Sequence, residues 1–401
     1  MTILVIHDFC SIGGGTNIYR GKLSELLGKE GIKTFVFTYA AEEDKKTCYC
    51  YHYSRGIKFI RHIKYNYFNL PLFIALRRWI KEVKPDIIHL HHNYIFTNTI
   101  LLACWNKAPV IQTVHDYRLL CPIAGGIKKK GETPCDHNGF GRWCYFEGCL
   151  SWSAFIRQFI PKKINKYLLK KAVTLFITPS MFMRDALKNY GLKALFIPFG
   201  IDYSKHQVIP SDNQQNKVLF IGDLYRSKGV DVLLKAFCRV AEVIPTAELG
   251  IVGDGPERVK LEDECQSLHL EGNVHFYGRI PHQRIGEFYS WANMIVLPSV
   301  VLENSPLSIY EAMGYTKPVI AGRIGGIPEL VSDGETGLLF TPGNAEELSE
   351  KILELLTNKE KAENMGLSGR KRVELQFNQQ RFLQEYLEIF NKLVNEAKNS
   401  S

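Results

Sequence analysis

A chain of 401 residues, 45% apolar and 23% charged, has a globular composition and room for two or three domains, which excludes a small module, a disulfide-stapled scaffold and a disordered chain. No stretch approaches the roughly 18 apolar residues of a membrane span, and Thr2 to Ile6 reads as a strand where a secretory leader would be basic, so a cytoplasmic protein is expected. The net charge of +9 is uneven: residues 1–200 carry 29 Lys and Arg against 13 Asp and Glu, and residues 201–401 carry 21 against 28, so phosphate-rich or anionic-membrane partners are expected for the first half.

In chain order, TILVIHDF, a glycine-rich turn, a helical pattern through Leu27 and TFVFTY make a strand–helix–strand unit. Backbone amides in such a turn can approach a phosphate. Gly13 and Gly15 are followed by Ile18 where a dinucleotide fingerprint has its third glycine, while Glu42, Glu43 and Asp44 follow the second strand. An NAD site and a plain tight turn both stay open at this point. PDIIHLHH (85–92), APVIQTVHD (108–116) and TLFITPS (174–180) are further strand candidates at helix-length intervals. Strands alternating with helices predict a parallel sheet covered on both faces.

Residues 51–81 hold seven basic side chains and no acidic one, and no acidic residue occurs from 148 to 184. Within the latter, SWSAFIRQFIPKKINKYLLKK mixes Trp152, Phe155, Phe159, Leu168 and Leu169 with Arg157 and five lysines, interrupted by Pro161. That composition suits an anionic membrane surface, or two helices packed on their own domain with solvated lysines. Cys121, Cys135, Cys144 and Cys149 cluster without paired CxxC spacing, so a structural zinc site and reduced thiols are both open.

The polar stretch 203–217 reads as a linker between a domain over 1–202 and a second over 218–378, with a final helical run from Gln379 to Asn395 suited to packing back on the first. The second half restarts the alternation with KVLFIGDL, AELGIVG, NVHFYG, MIVLPS and PVIAG, another doubly wound α/β pattern. IGDLYRSKGV brings Gly222 to a strand end and Lys228 to a helix N-terminus, which suits a diphosphate or is an ordinary loop lysine. In VLENSPLSIYEAMG, Ser305 is expected to cap a helix with Pro306 at its first position. The free amides then face Glu303 and Asn304, and Glu311 in the second turn is placed to accept hydrogen bonds from a vicinal diol such as ribose.

Glu303-x7-Glu311 with EAMGYTKPVIAGRIGGIPELV and ETGLLF resembles the signature of the retaining family 4 glycosyltransferases of the GT-B fold, two Rossmann-like domains facing a cleft. The resemblance runs through GGGTNIYRGKLSELL, KPDIIHLHH, VIQTVHDYRLLCP, IPFGID, IGDLYRSKG, LGIVGDGPE and NVHFYGRIP in order. It implies a retaining, metal-independent hexosyltransferase with a UDP- or GDP-linked sugar as donor substrate, no required cofactor, and a glycan or lipid-linked glycan as acceptor. Gly14 and Gly15 would approach the diphosphate from the first domain, and Gly222 and Lys228 from the second. The segment Ser305, Pro306, Leu307 and Ser308 would surround it. Glu311 would hold the ribose, Glu303 and Asn304 the sugar, the backbone at Arg279 and Ile280 the base, and His115 would face the reacting sugar. Asp223 departs from the arginine many members carry after the strand glycine, removing one diphosphate-binding cation unless Arg226 compensates. HDYRLLCP with the cysteines resembles members acting in bacterial polysaccharide or lipid-linked oligosaccharide synthesis, which implies peripheral association with the inner face of the membrane and no nucleic-acid partner. A sugar-nucleotide epimerase on the same fold and a weakened nucleotide-sugar-binding protein are the alternatives.

Overall fold

The computed structural model describes residues 1–8, 15–38, 48–50, 65–91, 94–123, 125–130, 134–137, 139–203 and 216–399. The chain forms two units, Met1–Pro198 with Phe382–Ser401, and Phe199–Arg381.

The first unit is built on seven strands: β1 (Thr2–Ile6), β2 (Lys33–Thr38), β3 (Cys48–Cys50), β4 (Ile87–Leu90), β5 (Val110–Thr113), β6 (Leu175–Thr178) and β7 (Ala194–Phe196). Their order in the sheet is β3-β2-β1-β4-β5-β6-β7, and every pairing is parallel. β4, β5 and β6 are buried at every position, as strands covered on both faces must be. β3 and β7, three residues each, have no counterpart in the apolar patterning, because so short a strand carries too few residues to show a period.

The C-terminal helix, Gln379–Asn399, buries Phe382, Tyr386, Phe390 and Leu393, one stripe at i, i+4, i+8 and i+11. Within this unit the Tyr386 hydroxyl lies 2.8 Å from the Tyr19 hydroxyl and 3.1 Å from Thr113 Oγ1, so the buried stripe is keyed by polar contacts.

One expectation is corrected here. Pro161 does not divide its segment: Trp152–Ala172 is a single 21-residue helix with the proline inside. Proline removes one intrahelical hydrogen bond. Packing offsets the loss, since Pro161 is buried with Phe155, Leu168 and Leu169, and Asn165 Nδ2 donates to Asn98 Oδ1 at 3.1 Å across to helix Thr97–Cys104.

The second unit holds β8 (Lys217–Ile221), β9 (Glu248–Val252), β10 (Val274–Gly278), β11 (Met294–Leu297), β12 (Val319–Gly322) and β13 (Gly337–Phe340), in the order β10-β9-β8-β11-β12-β13 and all parallel. Its core joins Phe220, Leu233, Phe237, Ile251, Phe340 and Ile352. Chain entry and exit are tied together where Ile201 N–H donates to Phe377 O at 2.9 Å. The strand order reverses between β8 and β11. In a doubly wound sheet the loops leaving the two strands diverge there and open a crevice at their carboxyl ends. Of the expected linker, residues 204–215 lie outside the described residues, as do Glu42, Glu43 and Asp44.

Candidate functional site

The loops after β8 and β11 converge on Lys228 and Glu303. After β8 the chain runs through Gly222 into a short 3-10 turn, Arg226–Lys228, and then Gly229, which opens helix Val230–Val243 at φ +66°. A Cβ on Gly229 would stand 2.1 Å from Pro298 O, so only glycine permits this approach to the β11 exit. Val300 N–H donates to Ser227 O at 3.0 Å and holds the loops together. Lys228 Nζ consequently donates to Glu303 Oε1 at 2.5 Å, and Ser299 Oγ donates to the same oxygen at 2.7 Å. The Glu303 backbone is fixed by Gly326 N–H, which donates to its carbonyl at 2.8 Å.

Asn304 is buried, and Leu307 opens the helix Leu307–Gly314. The expected cap is corrected: Pro306, with extended backbone, stands at the N-cap position and no side chain caps the helix. Ser305 Oγ instead pairs with the Tyr310 hydroxyl at 2.7 Å. Proline has no N–H and the first-turn amides have no intrahelical acceptor, so the amides of Leu307 and Ser308 carry the helix's positive end toward the loop.

Glu311 projects from the same helix with both oxygens engaged. His282 Nε2 lies 2.8 Å from Oε1, and the Tyr289 hydroxyl donates to Oε2 at 2.8 Å. Tyr289 stacks on Tyr315 with centroids 5.0 Å apart. The hydrogen bond to Glu311 raises the His282 pKa above its ordinary value, and burial, reinforced by the Glu311 charge, drives the Tyr289 phenol well above its own. Neither residue was suggested by the sequence, where each stands outside every motif. Arg279 and Ile280 follow β10, and the Arg279 guanidinium lies 3.6 Å from Asp223 in an exposed pair. The acidic departure at 223 therefore holds a cation from a neighbouring loop.

His115 and Gly15 lie in the first unit. Gly15 begins helix Gly15–Lys29, and Gly14 lies outside the described residues. His115 follows β5, with its Nε2 3.0 Å from His91 Nδ1 and its ring 4.9 Å, edge-on, from Tyr19. Burial and the neighbouring His89, His115, Arg20 and His7 hold the His91 pKa well below the ordinary value, so His91 is neutral.

Cys121, Cys135, Cys144 and Cys149 line one cavity of about 260 Å³ with Trp143 and Phe182. Burial raises the Cys135 and Cys144 thiols. Among the described residues no group of three or more His, Cys, Asp or Glu side chains is placed to hold a metal ion.

Comparison with known proteins tiles most of the chain with two family models, Glycosyltransferase Family 4 over residues 13–205 and Glycosyl transferases group 1 over residues 203–372. The chain belongs to glycosyltransferase family 4. This family 4 chain is 30% identical over 188 residues to N-acetyl-alpha-D-glucosaminyl L-malate synthase of Bacillus anthracis, covering 47% of the chain and 48% of that protein. It thus spans about half the length of the curated relative it matches there. It is 27% identical over 341 residues, 80% of each chain, to 2-deoxystreptamine N-acetyl-D-glucosaminyltransferase of Niallia circulans. Among solved structures, Anabaena HepE in complex with UDP-glucose superposes with a TM-score of 0.76 at 19% identity, covering 98% of this chain and all of that one. That likeness establishes the GT-B fold for this family 4 chain. By name one of these relatives is a synthase and the other a glucosaminyltransferase, and the epimerase alternative gains no support from either.

Proposed function

We propose that this protein is a retaining glycosyltransferase that moves a hexosyl group from a nucleoside diphosphate sugar to an acceptor hydroxyl on a glycan or lipid-linked glycan. The observation that carries the reading is the contact of Lys228 with Glu303 at the carboxyl ends of β8 and β11, followed in the chain by a helix whose first turn holds the Leu307 and Ser308 amides and whose second turn carries Glu311. Lys228 and the helix-end amides supply positive charge for a diphosphate, which competes with Glu303 for the ammonium group. Glu311, held by His282 and Tyr289, retains lone pairs for a ribose diol.

In the reaction the bond from the sugar anomeric carbon to the diphosphate oxygen breaks, and the diphosphate leaves as an anion stabilised by Lys228. The acceptor oxygen bonds to the same face of that carbon, and its proton passes to a diphosphate oxygen. No nucleophile and no metal is invoked. The two relatives are both named for an N-acetylglucosaminyl group, and a fold neighbour was solved with UDP-glucose, so UDP-linked N-acetylglucosamine and glucose head the panel of donors.

The test is calorimetry on the full chain with UDP, GDP and ADP and their sugars. Binding of one nucleotide class, weakened at least about tenfold by Lys228→Met, is expected, since a charge-assisted contact to phosphate is worth about 1.5–3 kcal/mol. No binding of any nucleotide overturns the reading. Retention is read from the anomeric configuration of the product by NMR.

A further inference from the structure

The helix Trp152–Ala172 is apolar on two opposite sides. Phe155, Pro161, Leu168, Leu169 and Ala172 are buried against the fold. About half a turn away lie Trp152, Ile156, Phe159, Ile160, Ile164 and Tyr167, each between 37% and 58% exposed. At 3.6 residues per turn these six occupy an arc of about 140°. A surface helix that needs only to cover its own core shows a polar outer face, so the outward stripe is not explained by folding. It continues into Tyr145 and Phe146, also exposed, with the Tyr145 ring 5.3 Å from that of Trp152.

Charge points to the occupant. The helix carries Arg157, Lys162, Lys163, Lys166, Lys170 and Lys171 and no acidic residue. Lys163 Nζ stands 4.4 Å from the centroid of the exposed Phe159 ring, so cation and apolar surface are presented together. Lysines beside an apolar stripe with Trp and Tyr match the boundary between anionic headgroups and acyl chains, where stems bury and ammonium groups meet phosphate. A second copy would set two strongly positive faces against each other. Among the described residues no helix is long and apolar enough to cross a membrane.

We propose that the outward face of helix Trp152–Ala172 docks on an anionic lipid surface, lying parallel to it at headgroup depth. This goes beyond glycosyl transfer and needs no nucleotide, so it stands or fails separately from the transferase reading. It would place the first unit at a surface that also carries lipid-linked acceptors.

The experiment is flotation of the full chain with phosphatidylcholine vesicles, with and without about one-third phosphatidylglycerol. Binding to the anionic vesicles is expected, at least about tenfold weaker at high salt, with little binding to the neutral ones. Ile156→Ser with Ile160→Ser should weaken partitioning by about 10- to 100-fold, because two buried aliphatic side chains are lost. Both positions are exposed, so the thermal melt should not move. Quenching of tryptophan fluorescence by brominated lipid should occur in the wild type and fall sharply in Trp152→Phe. Equal binding to neutral vesicles, or unchanged binding and quenching in these variants, overturns the proposal. So does a dimer in sedimentation that the isoleucine substitutions dissolve while vesicle binding is unaltered, because the stripe would then belong to a second copy.

Discussion

Lys228 Nζ and Glu303 Oε1 stand 2.5 Å apart across 75 residues of sequence, and this ion pair joins the loop after β8 to the loop after β11 beside the Val300–Ser227 backbone hydrogen bond. Their side chains are 27% and 13% exposed, so each shields the other's charge from a poorly solvated position. Lys228→Met and Glu303→Gln should each destabilise the protein by about 1–2 kcal/mol, and the double variant should lose less than the sum. Urea denaturation of the four proteins measures the coupling. Strict additivity would mean that the contact contributes nothing in solution.

The two glutamates are expected to separate binding from turnover. Glu311→Gln keeps shape and removes a charged acceptor, so affinity for the bare nucleoside diphosphate should fall by roughly one to two orders of magnitude. Glu303→Gln should lower the transfer rate and leave that affinity largely intact. Calorimetry beside transfer kinetics decides this, and a larger loss of nucleotide affinity in Glu303→Gln reverses the two roles.

The His282–Glu311 pair predicts a pH dependence of definite sign. Because Glu311 raises the folded-state pKa of His282, the pair's stabilisation is complete below the unfolded value, about 6.5, and is lost as pH rises through the higher folded value. The His282 side chain is 55% exposed, which limits the effect to about 1 kcal/mol or less. In NMR titration His282 should titrate above the ordinary range in the wild type and move back toward it in Glu311→Gln.

Asp8 predicts a window of the same sign that opens at lower pH, a loss of stability as its carboxyl ionises. Burial pushes its carboxyl up to about 8, although Oδ2 accepts from Tyr94 N–H at 2.6 Å and Ile95 N–H at 3.1 Å, and Oδ1 has no hydrogen-bond partner among the described residues. The folded state therefore keeps a proton that the unfolded chain releases near pH 4. Stability contributed at this site should fall between about pH 4 and 8, by at most about 1.4 kcal/mol per pH unit. Asp8→Asn retains an oxygen for both amides and should flatten that decline, leaving the variant the more stable protein at pH 8. Melting temperatures across the range test it, and parallel pH profiles would place the Asp8 pKa in the ordinary range.

Gly229→Ala should destabilise the protein by about 1–3 kcal/mol, since it adds a Cβ 2.1 Å from Pro298 O at a left-handed backbone position. Its backbone shift should also weaken nucleotide binding through Lys228, whereas Gly31→Ala, left-handed with open space around it, should lower stability alone.

Much of this was legible from one-dimensional pattern. Thr2–Ile6 is β1 to the residue, and KVLFIGDL, AELGIVG, NVHFYG, MIVLPS and PVIAG each contain one strand of the second sheet. Strands buried on both faces must be short apolar runs, and parallel neighbours must be separated by crossovers, so the α/β class follows from spacing. The order of the motifs carried the family. What depended on local competition was less accessible. A serine before Pro-Leu is a good cap in isolation, but Tyr310 offers Ser305 a partner one turn along the helix and the cap is lost. Pro161 reads as a break until Phe155, Leu168 and Leu169 are seen to bury the face around it.

The partners of the site residues were out of reach of any such pattern. His282 and Tyr289 precede Glu311 by 29 and 22 residues, and Ser299 and Lys228 meet Glu303 from a strand end and a separate loop. Periodicity reports which face of an element a residue occupies. Which side chains then touch depends on which loops leave adjacent strands on the same side of the sheet, and that is set by strand order, a relation among segments far apart in the chain.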